Sequence, residues 1–249
     1  STAFGRYLVK KGLQDNKICA ITAAMPNGTG LDAFSNSHKD RFFDVGIAEE
    51  YAVTFASGLA KGGMKPYFAV YSSFLQRGYD ELIHDTAIAK LPVRFLVDRA
   101  GFVGEDGETH QGLFDVAYLS TIPNMTIYSP ASYNELRGYL DLSLNSNSPL
   151  AIRYPKGVED FSFDFDGKDY TVFENSGSLA IVTYGTISSN ALKAQKQLDE
   201  QGIKVDLIKL NKVFPYSCEL ISKLSSYKKM CDKLSAQVVK YSSTLALVT

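Results

Sequence analysis

Two adjacent carboxylates, Glu49 and Glu50, follow the segment Asp44-Val45-Gly46-Ile47-Ala48, where an apolar strand runs straight into a helix. A carboxylate in the first turn of a helix gains ~0.3 to 1 kcal/mol from the helix dipole, which by itself accounts for such a pair. Glu50 reads as a solvated first-turn residue, and Glu49 differs from it by its neighbours. A second polar cluster runs from Gly104 to Gly112 and carries Asp106, Glu108 and His110 at alternating positions. On an extended strand that spacing would bring three possible metal ligands to one side. The intervening glycines favour a loop, in which a histidine is as readily a hydrogen-bonded surface residue. Arg99 and Arg153 each sit at the end of an apolar run, and two guanidinium groups converging on a sheet edge suit a phosphate or a carboxylate. Tyr71 and Phe74 follow another such run and, by position alone, are core aromatics.

The elements that must position these groups alternate. Strand-like runs are expected at Ile18 to Thr22, Phe42 to Val45, Tyr67 to Tyr71, Val93 to Val97, Met125 to Tyr128 and Leu150 to Arg153, with helical patterns between them. That order predicts an α/β fold on a parallel sheet, where ligands bind at strand ends. Ala52, Phe55, Ala56, Leu59 and Ala60 recur at helical spacing, as do Tyr133, Leu136, Leu140 and Leu144, the latter behind a capping box of Ser132 and Glu135. Residues 158–177 are rich in turn formers and are predicted to link a first domain, 1–157, to a second, 178–249. In the second, Leu179 to Tyr184 and Val205 to Leu210 read as strands around a helix from Ser188 to Gln201.

At 249 residues and 45% hydrophobic content the chain can bury a substantial core. A formal charge of -1 without a long Lys/Arg run leaves no electrostatic footprint for nucleic acid. No apolar run approaches the ~18 residues of a membrane span, and no signal peptide pattern opens the chain, so a cytoplasmic protein is expected. Cys19, Cys218 and Cys231 form no paired motif and are expected to be buried thiols. The chain opens on Ser1, already heading for a helix, which suggests that it is a fragment of a longer polypeptide.

Taken together, Asp44-Val45-Gly46-Ile47-Ala48-Glu49, Tyr71-Ser72-Ser73-Phe74-Leu75-Gln76-Arg77, Asp98-Arg99-Ala100-Gly101 and Asp106-Gly107-Glu108-Thr109-His110-Gln111-Gly112-Leu113-Phe114-Asp115 closely resemble the 1-deoxy-D-xylulose-5-phosphate synthases, a family of transketolase-like, thiamine-diphosphate-dependent enzymes. The resemblance is strong through Arg153-Tyr154-Pro155-Lys156-Gly157 and continues more weakly to about Phe214. It implies a pyrimidine-binding domain followed by part of a transketolase C-terminal-like domain. It also implies that Glu49 hydrogen-bonds the aminopyrimidine ring of the cofactor and shares a proton with a ring nitrogen, while Phe74 stacks on that ring. Tyr71, Arg99 and Arg153 match residues that hold the phosphate of glyceraldehyde 3-phosphate. Asp106 and His110 match catalytic residues at the substrate end, and Arg77 lies near them as a substrate-side residue. The reaction implied joins pyruvate to that aldehyde with loss of carbon dioxide, for isoprenoid, thiamine and pyridoxal synthesis, in a homodimeric enzyme.

Three departures qualify the match. The family's motif for diphosphate and Mg2+, Gly-Asp-Gly followed by Asn, belongs to a preceding domain, so no metal ligand is assigned here and the chain alone is expected to be inactive. Tyr51 stands where many relatives have His. Residues 215–249 lack glycine and depart from the family pattern. Other readings are the C-terminal half of a split transketolase, a β-type 2-oxoacid dehydrogenase subunit, a non-catalytic interaction module of the same fold, and a metal-dependent hydrolase built on Asp106, Glu108 and His110.

Overall fold

The computed structural model describes residues 1–227 and the backbone of 229–231. The unusual composition noted for 215–249 therefore lies mostly outside the described residues. Eleven strands are described: β1 (Ile18–Thr22), β2 (Phe42–Asp44), β3 (Lys65–Tyr71), β4 (Arg94–Asp98), β5 (Thr126–Tyr128), β6 (Leu150–Arg153), β7 (Tyr170–Phe173), β8 (Leu179–Tyr184), β9 (Val205–Leu210), β10 (Lys212–Phe214) and β11 (Lys229–Cys231). They form a seven-stranded sheet in the order β10-β5-β6-β4-β3-β1-β2 and a four-stranded sheet in the order β11-β8-β9-β7. The first is parallel except where β10 joins β5, and the second is parallel except where β7 joins β9. The predicted α/β class with a mostly parallel sheet is what the chain adopts.

Both faces of the larger sheet are covered, and its central strands are correspondingly apolar between the charged residues at their ends, such as Arg94 and Asp98 of β4. Along β3, Phe68 and Val70 pack with Ala52, Val53 and Ala56 on one face. Tyr67 and Ala69 pack with Phe4, Leu8, Leu136 and Leu140 on the other. β1 lies between β2 and β3, and the chain leaves β1 toward β2 but leaves β3 toward β4. The crevice at their C-terminal ends is thus a topological switch point, the usual ligand position in such a sheet.

Three strands were not foreseen, among them Lys229–Cys231, which runs parallel to β8. Tyr170–Phe173, within the turn-rich segment, runs antiparallel to β9. Lys212–Phe214 leaves the smaller sheet to pair with β5 of the larger one. Cys19 is buried as expected, whereas Cys218 is exposed. It opens the helix Cys218–Ser225, whose buried side is carried by Leu220 and Leu224. The side chain of Cys231 lies outside the described residues.

Candidate active site

The approach to Glu49 is fixed by one side chain at the end of β2. Asp44 Oδ1 accepts hydrogen bonds from Ala24 N at 2.7 Å and Gly46 N at 3.0 Å, tying the loop after β1 to the turn that enters the helix Glu49–Lys61. Gly46 sits at φ 73°, a left-handed conformation that favours glycine. The two first-turn carboxylates then part. Glu50 is exposed, as expected, while Glu49 is 2% exposed. Burying a carboxylate requires a compensating partner, and Arg77 Nη1 donates to Glu49 Oε1 at 2.7 Å. The Arg77 guanidinium in turn lies 4.7 Å from the centroid of the Phe74 ring.

From Phe74 a row of rings and cations continues along the strand ends. Phe74 meets Tyr71 at 5.6 Å and His110 edge-on at 5.0 Å, and Tyr71 lies 6.0 Å from His110. Arg99 covers Tyr71 at 4.0 Å. Its backbone adopts φ 57°, strained for a residue with a side chain, and strain of this kind gathers at functional sites. Its guanidinium donates to Gly28 O at 2.5 Å, pairs with Asp98 at 3.2 Å and reaches Asp106 Oδ2 at 3.4 Å. Gly28 packs so closely on Tyr71 that a Cβ there would come within 1.7 Å of the phenol oxygen. Lys156 Nζ closes the row, 2.7 Å from Asp106 Oδ1 and 3.2 Å from Glu105 Oε2.

The loop bearing Asp106 and His110 is closed at its base. Gly101 and Gly112 exchange backbone hydrogen bonds of 2.7 and 2.8 Å, and a Cβ on Gly112 would fall 2.0 Å from Arg99 O. Inside it, Gln111 accepts from Val103 N at 2.8 Å and donates to Val103 O and Gly107 O. Two 3-10 turns, Gly104–Asp106 and Glu108–His110, replace the extended strand that the metal-ligand reading needs. Glu108 is exposed, and among the described residues no three His, Cys, Asp or Glu side chains gather around a common point. The Lys156 hydrogen bond, aided by Arg99, holds the Asp106 carboxyl below the usual carboxylate range. Burial pushes the Tyr71 phenol upward, with Arg99 opposing.

Arg153 has a different set of contacts. It is 4% exposed, pairs bidentately with Asp115 at 2.7 and 3.2 Å, touches Ser129 Oγ at 3.4 Å and lies 5.3 Å from the Tyr184 centroid. It lines a cleft of about 340 Å³ between Ala100-Gly101-Phe102 and the turn Tyr184–Ile187. The structure therefore brings Glu49, Arg77, Phe74, Tyr71, His110, Arg99 and Asp106 into one row and sets Arg153 to its side. Sequence reasoning missed the supporting set: Asp44, Gly28, Gln111, Asp115 and Lys156. Four of these lie inside the quoted motifs or beside them, so the motif blocks themselves were the available signal.

Residues 1–158 match the family described as the transketolase pyrimidine binding domain. A curated relative from Clostridium tetani, named 1-deoxy-D-xylulose-5-phosphate synthase, is 45% identical over 243 residues, covering 96% of this chain and 39% of the relative. One of the same name from Caldanaerobacter subterraneus is 50% identical over 233 residues, covering 91% and 37%. The chain thus spans less than two fifths of the length of these curated relatives. Among solved structures, a split gene transketolase described as an inactive beta4 tetramer aligns with TM-score 0.77 and 28% identity over 89% of this chain and 74% of that one. Transketolase from Campylobacter jejuni aligns with TM-score 0.75 over 94% of this chain and 37% of that one, at 17% identity, a likeness of fold alone.

Proposed function

This chain belongs to the family of transketolase pyrimidine-binding domains, and we propose that it forms one half of the thiamine diphosphate site of a 1-deoxy-D-xylulose-5-phosphate synthase. The observation that carries the reading is Glu49, a carboxylate buried to 2% exposure at a switch-point helix start, with an arginine and an aromatic ring beside it. The residues suit the cofactor: Glu49 can share a proton with a ring nitrogen, and Phe74 offers a face to an aromatic ring. The hydroxyls of Ser72 and Ser73, buried in the same turn, have no hydrogen-bond partner among the described residues, which suits a polar ligand there. When bound, thiamine diphosphate supplies the electron sink for decarboxylating pyruvate.

The protein residues then have distinct tasks. Glu49 shares a proton with the ring nitrogen of the cofactor, and Arg77 orients its carboxylate. Tyr71 and Arg99, with Arg153 in the neighbouring cleft, bind the phosphate of glyceraldehyde 3-phosphate, and Asp106 and His110 face the reacting end. The same reading divides the chain into 1–157 and 178–249, joined by 158–177. It assigns diphosphate and Mg2+ to a further domain and expects a cytoplasmic homodimer. Among the described residues no helix is long and apolar enough to cross a membrane.

A second reading, the C-terminal half of a split transketolase, is favoured by the split gene chain, of which this chain covers 74%. One experiment separates the two. The complete protein containing this sequence is supplied with pyruvate and glyceraldehyde 3-phosphate, or with a ketose phosphate and an aldose phosphate. The synthase reading predicts 1-deoxy-D-xylulose 5-phosphate and carbon dioxide from the first pair, and exchange between sugar phosphates from the second pair alone would replace it.

A further inference from the structure

At the far end of the row two cations share one carboxylate. Asp106 Oδ1 accepts from Lys156 Nζ at 2.7 Å and Oδ2 from Arg99 Nε at 3.4 Å, and Lys156 also reaches Glu105 Oε2 at 3.2 Å. The two cations differ in freedom. Arg99 is 8% exposed and locked by Tyr71 and the Gly28 carbonyl. The Lys156 side chain is 38% exposed and opens onto the cleft lined by Ala100, Gly101 and Thr186. Arg153, three residues earlier, is held in its buried pair with Asp115.

We propose that Lys156 is a further cation of the acceptor-phosphate subsite, beside Arg99 and Arg153, and that Asp106 holds it in reserve until a phosphate takes it. The proposal rests on the reading that the acceptor is a phosphorylated aldehyde. A phosphate monoester brings nearly two negative charges and three acceptor oxygens, against one charge and two oxygens for Asp106. Lysine is a compact point charge on a flexible stem, so it changes partners without the geometric demands of a guanidinium. Exposed ion pairs contribute little in water, so Lys156 leaves Glu105 and Asp106 at small cost. Asp106 keeps Arg99 as its partner when Lys156 turns to the phosphate, so the loop carrying His110 stays in place.

The test is steady-state kinetics of the complete enzyme with pyruvate and either D-glyceraldehyde 3-phosphate or unphosphorylated D-glyceraldehyde. Lys156→Gln is expected to raise KM for the phosphorylated acceptor about 10- to 100-fold, the usual range for a lost charged hydrogen bond. The same variant leaves kcat within about threefold and leaves the unphosphorylated acceptor unaffected, and Lys156→Arg recovers most of the loss. Glu105→Gln, which removes a competitor for Lys156, leaves KM equal to or below that of the unchanged enzyme. An equal loss with both acceptors, a loss confined to kcat, or a KM raised several-fold by Glu105→Gln overturns the role of Lys156. If the unchanged enzyme uses neither acceptor, the synthase reading itself has failed.

Discussion

Arg77 Nη1 stands 2.7 Å from Glu49 Oε1, so a carboxylate with 2% side-chain exposure shares its charge with a guanidinium that is 48% exposed. The arginine spans the boundary between the interior and the open side of the site. It can balance the buried charge and still face a ligand, while its plane packs on Phe74.

Replacing Arg77 with Met should leave the Glu49 carboxylate buried and unpaired. Because Arg77 is half exposed, water relieves part of the cost, and the expected loss of stability is about 1 to 3 kcal/mol. Arg77→Lys should recover part of it. Urea denaturation of the three proteins measures this, and a Met variant as stable as the unchanged protein would show that the pair does not support the buried carboxylate.

Another buried pair links β9 to the helix Tyr133–Ser143. Lys209 of β9 is 0% exposed and donates to Glu135 Oε1 and Asn211 Oδ1, while Glu135 Oε2 accepts from Ala131 N at 2.7 Å. Burial pulls the Lys209 ammonium below its ordinary value, and Glu135 opposes that pull. Lys209→Met should cost about 3 to 5 kcal/mol, because it strands a buried charge. Adding Glu135→Gln, which keeps an acceptor for Ala131 N but no charge, should recover part of the loss. Equilibrium denaturation of the single and double variants checks both steps, and a double variant weaker than Lys209→Met by a further 2 kcal/mol or so would contradict the account.

Acid should loosen the loop closed by Gly101 and Gly112. Asp106 titrates lower when folded than when unfolded, chiefly through its hydrogen bond to Lys156 and then through Arg99. Its contribution to order is therefore complete above the ordinary carboxylate value near ~4 and is lost as pH falls through the lowered one. Amide exchange at His110, corrected for the chemical exchange rate, should keep its protection from pH 7 to 5 and lose it below about pH 4 before the amides of β3 do. Unchanged protection at His110 while β3 opens would contradict this.

Much of the fold is legible in the residues. The limits of β1, β6, β8 and β9 fall where the apolar runs place them, because strands buried on both faces are largely apolar even where, as in β9, Asp206 and Lys209 interrupt the run. β7 is harder to see, since four half-buried residues lie among turn formers, and β10 depends on pairing with a strand more than eighty positions earlier. The capping box at Ser132 is half realised. Ser132 Oγ accepts from Glu135 N at 3.3 Å, but the Glu135 carboxylate turns to Ala131 N and Lys209 instead of the Ser132 amide. Local spacing could not reveal a lysine from another sheet.

The candidate site divides along the same line. The types and order of Glu49, Tyr71, Phe74, Arg99, Asp106 and His110 mark them in the chain, and their convergence follows from parallel strands that end on one edge. The pairing of Arg153 with Asp115 and the bridge from Lys156 to Asp106 link residues 38 and 50 positions apart, and no periodicity encodes them. Gln111 is intermediate: it stands in a recognisable motif, but its task as a brace inside the loop appears only in the folded chain.

The most direct measurement is turnover of pyruvate and glyceraldehyde 3-phosphate by the complete enzyme with Glu49→Ala, beside a thermal melt of the same protein. The account predicts a loss of ~100-fold or more, the usual contribution of a positioned proton-transfer group, with the fold retained because Arg77 can turn to water. A folded variant that turns over within a few-fold of the unchanged enzyme would remove Glu49 from the chemistry and the thiamine reading with it.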